Sequence, residues 1–188
     1  MSSSAPKRDG RRTDTRERIH RVALDVFSEY GYERTTQREI AERLGITRAA
    51  LYYHFTSKDD ILRSIHQSLA DTIDAVITAA RSRPRSTRTR TGLLRELSEL
   101  LAGPWGQFTR FAQANEAAML TLTAAAGFHQ RIDALAGLLT PKETTEGHLR
   151  GRLALTALFM SSGHRRESIG TDRERDVAAL RVAEELVR

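Results

Sequence analysis

The sequence predicts an all-α protein in which an N-terminal three-helix bundle is joined by a long helix to a C-terminal helical domain. Apolar residues recur at three- and four-residue spacing along most of the 188 residues, whereas the alternation typical of strands is rare. Glycines and prolines stand between the periodic segments, where helices end. The stretch 35–55, TTQREIAERLGITRAALYYHF, has the pattern of a helix, a tight turn and a second helix.

Charge and composition narrow the class of protein. The net charge is +6, and residues 1–58 hold twelve Lys and Arg against eight Asp and Glu. A basic N-terminal third suits a polyanionic partner. The chain has no cysteine, which excludes disulfides and thiolate metal sites. It also lacks an apolar run long enough for a membrane span and the apolar core of a signal peptide, so we expect a cytoplasmic protein without a membrane partner.

The first segment, residues 1–12 (MSSSAPKRDGRR), has few apolar groups and is expected to be a disordered basic tail. A solvated tail is the favoured interpretation, and an arm that reaches phosphates or the minor groove is the alternative. The first helix is expected to begin near Thr13 or Asp14 and to end at Tyr30, before Gly31. Its apolar stripe requires a partner face and consists of Ile19, Val22, Ala23, Val26, Phe27 and Tyr30.

The helix that opens the 35–55 stretch carries its own start and stop signals. Thr36 and Glu39, three residues apart, form a capping box at its start. Gly45 ends it, because glycine adopts the left-handed conformation without a steric penalty and lets the chain reverse. Its apolar face consists of Ile40, Ala41 and Leu44. This pair of helices is too small to bury a core alone, so the first helix must close the bundle.

The second helix of the stretch has one buried side and one free side. Thr47 is placed to cap it through its hydroxyl. Leu51 and Phe55, four residues apart, give it a face to bury. The side chains left pointing elsewhere are Arg48, Ala49, Ala50, Tyr53 and His54. An ordinary helical hairpin with a solvated basic face is the alternative interpretation.

The segment TRAALYYHFTSKDDIL, followed by a long helix, resembles the N-terminal signature of the tetracycline-repressor (TetR) family of transcriptional regulators. The resemblance covers about residues 13–72 and includes a small residue and a glycine four apart, then Leu-Tyr-Tyr-His-Phe and Ser-Lys-Asp. It implies a helix-turn-helix that places its second helix in the major groove of DNA. The DNA contacts that resemblance and position imply are Thr36, Gln37, Arg38, Thr47, Arg48, Ala49, Ala50, Tyr52, Tyr53, His54 and Lys58.

These residues differ in their expected roles. Arg48 is the candidate for bidentate readout of guanine. Tyr53, His54 and Lys58 are expected to anchor phosphates. Tyr52 is either a phosphate contact or a packed core aromatic. The family often has glycine or proline where Ala49 stands, so a direct backbone approach to DNA at this position is left open.

Two segments follow the helix-turn-helix. Ser57 is expected to cap a helix whose apolar stripe continues to Ala80, about six turns later. In the TetR family this helix is the connector whose tilt relays ligand binding to the DNA readers; a plain structural connector is the alternative. Residues 81–90, RSRPRSTRTR, hold five arginines and are expected to form an exposed loop, with a second phosphate contact as the less favoured role.

Residues 73–188 are expected to form an effector-binding and dimerisation domain. The run 153–160, LALTALFM, is apolar almost all round and predicts a helix buried on more than one side. Helices at about 146–165 and 172–187 exceed the needs of one small core, so we expect a homodimer through these last two helices. The candidate seam residues are Ala157, Val177, Leu180 and Val187.

An apolar pocket for a small effector is expected in this domain, mainly on the basis of the TetR resemblance. Ordinary core packing is the favoured alternative for each residue taken singly, because aromatic residues at helical spacing are usually core. The candidate pocket residues are Trp105, Phe108, Phe111, Met119, Leu122 and Phe159.

The sequence contains no GxSxG, no HExxH and no phosphate-cradling glycine loop, and its six histidines lack metal-ligand spacing. We therefore predict neither enzyme activity nor a metal or cofactor. The predicted function is sequence-specific transcriptional regulation: a homodimeric repressor on double-stranded DNA with a pseudo-palindromic operator, released by an unknown small-molecule effector. The alternatives are a helical protein-binding scaffold and a DNA-binding regulator without an effector.

Overall fold

The computed structural model describes residues 8–115, 119, 127–161 and 169–188, with side chains from Asp14 onward. These ranges contain nine α-helices and no strand, which confirms the all-α prediction. The helices are α1 (Arg8–Tyr30), α2 (Gln37–Leu44), α3 (Arg48–His54), α4 (Lys58–Arg81), α5 (Thr87–Ala102), α6 (Pro104–Ala114), α7 (Phe128–Leu139), α8 (Thr145–Ser161) and α9 (Asp172–Leu186). None of the described helices is both long enough and apolar enough to span a bilayer.

The chain divides into two compact units, residues 1–67 and 68–188. The division lies inside α4, so the first turns of this helix belong to the first unit and the remainder to the second.

The first unit has a core to which α1, α2, α3 and the start of α4 all contribute. Phe27 of α1 and Leu51 of α3 are completely buried. Full burial of such a side chain stabilises a fold by about 1.5–3 kcal/mol. The other core residues of this unit include Ile19, Ala23, Leu24, Val26, Ile40, Ala41, Leu44, Phe55, Ile61, Leu62 and Ile65. The first helix therefore closes the helix-turn-helix into a bundle, as its apolar stripe predicts.

Local capping sets the helix ends of the first unit as expected. Thr36 and Glu39 form a complete capping box at the start of α2. Gly45 has φ 69°, in the left-handed region, and its N–H caps the end of α2. The Thr47 hydroxyl accepts from the Ala50 N–H at 3.1 Å, and the Ser57 hydroxyl accepts from the Asp60 N–H at 3.0 Å.

Helix α1 begins at Arg8, earlier than the expected start near Thr13. The disordered tail expected for residues 1–12 was therefore predicted to extend too far, because the helix already includes the residues from Arg8 onward. Arginine is a strong helix former, and Asp9 stands in the first turn, where the helix dipole favours a negative charge. Local propensity thus extends the helix past the part that burial requires. Residues 1–7 lie outside the described residues.

The second unit has its own apolar core, formed by α4, α5, α7, α8 and α9 with Trp105 of α6. Helices α7 and α8 approach closely at Gly151, where an added Cβ would lie 2.4 Å from the Ala136 carbonyl oxygen. The expected loop 81–90 is shorter than predicted, because Ser86 caps α5 by accepting from the Thr89 N–H at 3.1 Å. The cap stabilises a helix start within a segment whose like charges indicated a loop.

One expectation for the last helices needs correction, and another stays a prediction. Leu153 and Met160 of α8 are 45% and 60% exposed in the single chain, so burial of this helix on more than one side would require a partner. Its buried face consists of Gly147, Gly151, Ala154, Leu155 and Leu158. Val187 was expected at the dimer seam, but it is completely buried within its own unit. Its side chain has no exposed surface that a second copy could contact, so it is not a seam residue.

Candidate nucleic-acid interface

Helix α3 presents an exposed face of five side chains on a buried anchor. Leu51 is fully buried and holds the helix to the bundle. Tyr52 and Tyr53 are 55% and 77% exposed, so Tyr52 is not the packed core aromatic that the sequence left open. The other exposed residues of this face are Arg48, Ala49 and Ala50. The first unit therefore leaves this surface of α3 free for a partner.

Two long-range hydrogen bonds join the helices of the first unit, one between α2 and the end of α3 and one between α1 and α2. The Gln37 side-chain amide at the start of α2 donates to the Phe55 carbonyl at the end of α3, at 2.9 Å. The Arg18 guanidinium of α1 donates to the Leu44 carbonyl at the end of α2, also at 2.9 Å. Gln37 was expected as a DNA contact and has this structural partner as well. Arg18 was not predicted, since nothing in the local pattern pairs it with a residue 26 positions away.

Two of the predicted contacts at the start of α2, Thr36 and Arg38, are exposed, but each already has a partner within the first unit. Thr36 serves as the cap of α2 through its bond with Glu39. The Arg38 guanidinium forms an ion pair with Glu42 at 2.8 Å, with both side chains largely exposed. Exposed pairs of this kind contribute little to stability, so Arg38 can exchange its partner for a phosphate at small cost.

Arg48 and His54 lie at opposite ends of α3. The Arg48 side chain is exposed and makes no hydrogen bond or ion pair with the residues that the structure describes. Its guanidinium is therefore available to a base edge or a phosphate. His54 is half-buried, with its ring edge-on to Tyr53 and the two centroids 5.4 Å apart.

The Lys58 ammonium group points into the connection between α1 and α2. It donates to the carbonyls of Tyr32 at 2.8 Å and Glu33 at 3.0 Å and lies 4.6 Å from the centroid of the Tyr32 ring. The Tyr32 hydroxyl donates in turn to the Asp59 carboxylate. Burial, with the Asp59 carboxylate adding to it, raises the pKa of Tyr32. This environment differs from the free phosphate anchor that the sequence suggested for Lys58.

His20 of α1 lies beside the end of α3 and was not predicted as part of the site. Its Nε2 is 2.9 Å from the Ser64 hydroxyl, and its ring centroid is 5.8 Å from that of Phe55. Burial, with the Arg16 charge adding to it, lowers the pKa of His20 to about 4. The imidazole is therefore neutral at physiological pH.

The candidate effector residues lie in the second unit. Trp105, Phe108 and Phe111 of α6 are buried, as is Met119. Phe159 packs partly buried against the core, and Leu122 lies outside the described residues. An open groove of about 450 Å³ between α4 and α5 is lined by none of the six; its lining residues are Thr72, Ala75, Val76, Ala79, Glu96, Glu99 and Leu100.

The fold and the site together define a helix-turn-helix protein with a second, all-helical unit. Residues 19–65 match the family model described as "Bacterial regulatory proteins, tetR family". The matched segment contains all of α2 and α3 and parts of α1 and α4, so the similarity to this family lies in the helix-turn-helix region.

Curated relatives match in the same region. The chain is 38% identical over 69 residues to the HTH-type transcriptional regulator TtgR of Pseudomonas putida, covering 37% of this chain and 33% of the relative. It is 39% identical over 54 residues to the tetracycline repressor protein class C of Escherichia coli, covering 29% of this chain and 25% of that protein. The matches thus span about a third or less of the length of these relatives.

Solved structures match over nearly the whole chain. The transcriptional regulator FadR of Bacillus subtilis, solved in complex with stearoyl-CoA, aligns with a TM-score of 0.65 at 19% identity. The alignment covers 91% of this chain and 97% of that one. At this identity the match shows a shared fold and nothing about function.

Proposed function

We propose that the protein is a sequence-specific DNA-binding transcriptional regulator that acts as a repressor. The observation that carries this proposal is the exposed face of α3 on a bundle whose core is already complete. A helix held by Leu51 and capped by Thr47 is rigid enough to enter the major groove. The Arg48 side chain in its first turn has no partner in the described part of the chain. A chromosomal partner implies that the protein works in the cytoplasm.

The chemistry of the exposed face suits both kinds of DNA contact. Arg48 carries the forked donor set that matches the O6 and N7 acceptors of guanine. Tyr52 and Tyr53 present hydroxyls that can donate to phosphate oxygens and so set the register of the helix on the duplex. Ala49 and Ala50 are small enough to let the α3 backbone approach the base edges.

The test is selection of duplexes from a random library by the purified protein, followed by salt titration on the enriched sequence. We expect one enriched sequence with two-fold symmetry, and an affinity that falls steeply with salt because phosphate contacts release counterions. Absence of enrichment, together with salt-insensitive capture of a protein, would favour the helical scaffold instead. A genome-wide footprint would then identify the regulated promoters.

We further propose that a small molecule bound in the second unit releases the protein from its operator. Support comes from the apolar side chains Trp105, Phe108, Phe111 and Met119 in the second unit, and from α4, which runs from that unit into the first. The FadR structure with stearoyl-CoA shows one occupant of a related fold. The effector must prefer one conformation over the other, since equal affinity shifts nothing.

A metabolite and antibiotic screen by thermal shift, followed by operator release with each compound that binds, tests this proposal. Compounds that raise the melting temperature and also weaken operator binding would identify effectors. Compounds that stabilise the fold but leave operator affinity unchanged would instead favour the regulator without an effector.

We also propose that the protein is a homodimer through α8 and α9. Several large apolar side chains on these helices are exposed in the single chain: Leu149, Leu153, Met160, Val177 and Val182. Of the expected seam residues, Val177 is exposed and stays a candidate. Ala157 and Leu180 are half-buried against the core of their own unit. Two-fold symmetry of such a dimer would require half-sites about one turn of DNA apart, about 34–36 Å or a little more.

A further inference from the structure

We infer that Arg16 of α1 is a phosphate contact beside the end of α3, and that Lys58 has a structural role instead. This inference rests on the proposed DNA-binding function and adds a residue outside the helix-turn-helix to it. Arg16 precedes the segment that matches the family model and was not among the contacts that the sequence predicted.

Arg16 is held next to elements that face the proposed DNA surface. Its guanidinium carbon lies 5.2 Å from the centroid of the Phe55 ring, and Phe55 is the C-cap residue directly after α3. The Phe55 carbonyl accepts from the side chain of Gln37, which stands at the start of α2. Arg16, the end of α3 and the start of α2 therefore meet at one place on the surface of the first unit.

The charge of Arg16 is available at this place. Arg38 and Arg43 are paired with Glu42 and Glu29, at 2.8 and 2.6 Å. Arg16 is exposed and pairs with no carboxylate among the residues that the structure describes. A guanidinium held over an aromatic ring by a cation–π contact still has N–H groups that can donate to a phosphate, and its forked donor geometry matches that of a phosphate. Its side chain is also partly ordered before DNA arrives, which lowers the entropic cost of binding.

The Lys58 ammonium group, by contrast, is already engaged inside the first unit. Its bonds to the carbonyls of Tyr32 and Glu33 join the start of α4 to the α1–α2 connection. To reach a phosphate, Lys58 would have to release both carbonyls and leave the face of the Tyr32 ring. Loss of hydrogen bonds to a charged group is costly, so the internal arrangement is favoured.

The experiment measures the salt dependence of binding for matched single variants of the full chain. The probes are the duplex enriched by selection and a random-sequence duplex of equal length. The variants are Arg16→Gln, Lys58→Met and, as a control with the same charge change on the same helix, Arg21→Gln. Arg21 is exposed, and its side chain makes no ion pair, ring contact or hydrogen bond with the residues that the structure describes. Each variant is first checked for helical content and melting temperature.

We expect Arg16→Gln to reduce the magnitude of the slope of log affinity against log salt by about 0.9 and to weaken both duplexes by a similar factor. Lys58→Met should lower the melting temperature and leave the slope as in the wild type, and Arg21→Gln should change neither. A slope for Arg16→Gln equal to that of Arg21→Gln would overturn the role of Arg16. A reduced slope for Lys58→Met would overturn the structural role of Lys58.

These outcomes are distinct from failure of the proposed function. If the wild-type protein binds the selected duplex and the Arg16→Gln slope is unchanged, DNA binding stands and the present inference fails. If the wild-type protein binds neither duplex, the proposed function itself fails.

Discussion

If the proposed function holds, the exposed side chains of α3 should differ in role: some should read the base sequence and others should bind the DNA backbone. The Arg48 side chain is exposed at the start of the helix and has no partner among the described residues, whereas Tyr53 is exposed near the end of the helix. The structure also shows Tyr52 to be exposed, which assigns it to the surface group. Arg48→Ala and Tyr53→Phe should therefore have different effects on specificity.

Arg48→Ala should weaken the preferred duplex by about 1–3 kcal/mol and relax the preference at one base position, because a bidentate contact to guanine is lost. Tyr53→Phe should weaken all duplexes by a similar factor, because it removes a backbone contact. Competition binding with single-base variants of the selected duplex measures both effects. Equal weakening of every duplex by Arg48→Ala would contradict the readout role.

The pH dependence of stability can be traced to His20. Its pKa is lowered to about 4 in the folded chain, against an ordinary value of 6.5, so between these values the unfolded state binds the proton more tightly. The contribution of neutral His20 to the free energy of unfolding is therefore complete above pH 6.5 and is lost as the pH falls toward 4. Because His20 is partly exposed, screening limits the effect to about 1–2 kcal/mol.

Urea unfolding between pH 7 and pH 4 tests this expectation with His20→Gln as the comparison. The variant keeps a polar partner for Ser64 but has no proton to bind in this range. The difference in unfolding free energy between wild type and variant should therefore change with pH. A constant difference across the range would exclude His20 as the source.

At the scale of elements, the turn between α2 and α3 depends on one glycine. Gly45 has φ 69°, and an added Cβ would meet no atom within 4 Å, so the penalty of a substitution comes from the backbone conformation alone. Gly45→Ala should destabilise the fold by about 1 kcal/mol. Gly92 of α5 also has open space around it but has ordinary helical geometry, so Gly92→Ala should stabilise by about 0.5–1 kcal/mol.

Thermal or urea unfolding of these two variants measures the pair of opposite effects. The same change of hydrogen to methyl is made in both, so the sign depends on backbone conformation. Destabilisation of similar size at both positions would show that the positive φ of Gly45 is not the cause.

Most helix ends could be predicted from the sequence because they are set by interactions within a few residues. The capping box at Thr36, the cap at Thr47 and the stop at Gly45 are all of this kind. Two boundaries that differ from the expected ones, at Arg8 and at Thr87, depend on a balance among helix propensity, caps and charge repulsion. The spacing of apolar residues carries no information on that balance, so it does not predict where these two helices begin.

At the scale of the whole molecule, the exposed apolar residues of α8 and α9 indicate an association surface. Leu153 and Val177 are 45% and 54% exposed on the two helices. Stable interfaces bury about 800 Å² per partner, and large apolar groups near their centre contribute most. Leu153→Glu and Val177→Glu should therefore each place a charge where a second copy packs and shift the protein toward monomer.

Sedimentation at micromolar concentration measures the mass of each variant against the chain mass of 21.1 kDa. The wild type should sediment at twice this mass, and Thr78→Glu on the exposed side of α4 serves as the control that stays dimeric. Leu153→Glu and Val177→Glu should also weaken binding to the symmetric duplex, because a monomer binds only one half-site at a time. A wild-type monomer would contradict the proposal.

The sequence by itself determined the helical class, the position of the helix-turn-helix and the residues that cap and end its helices. These features follow from local periodicity, capping and glycine conformation, which depend on neighbours along the chain. Only the tertiary structure decided that Tyr52 is exposed, that Val187 is buried and that Lys58 binds the Tyr32 and Glu33 carbonyls. Each of these outcomes depends on residues distant in sequence, whose approach is set by how the helices pack and cannot be obtained from spacing alone.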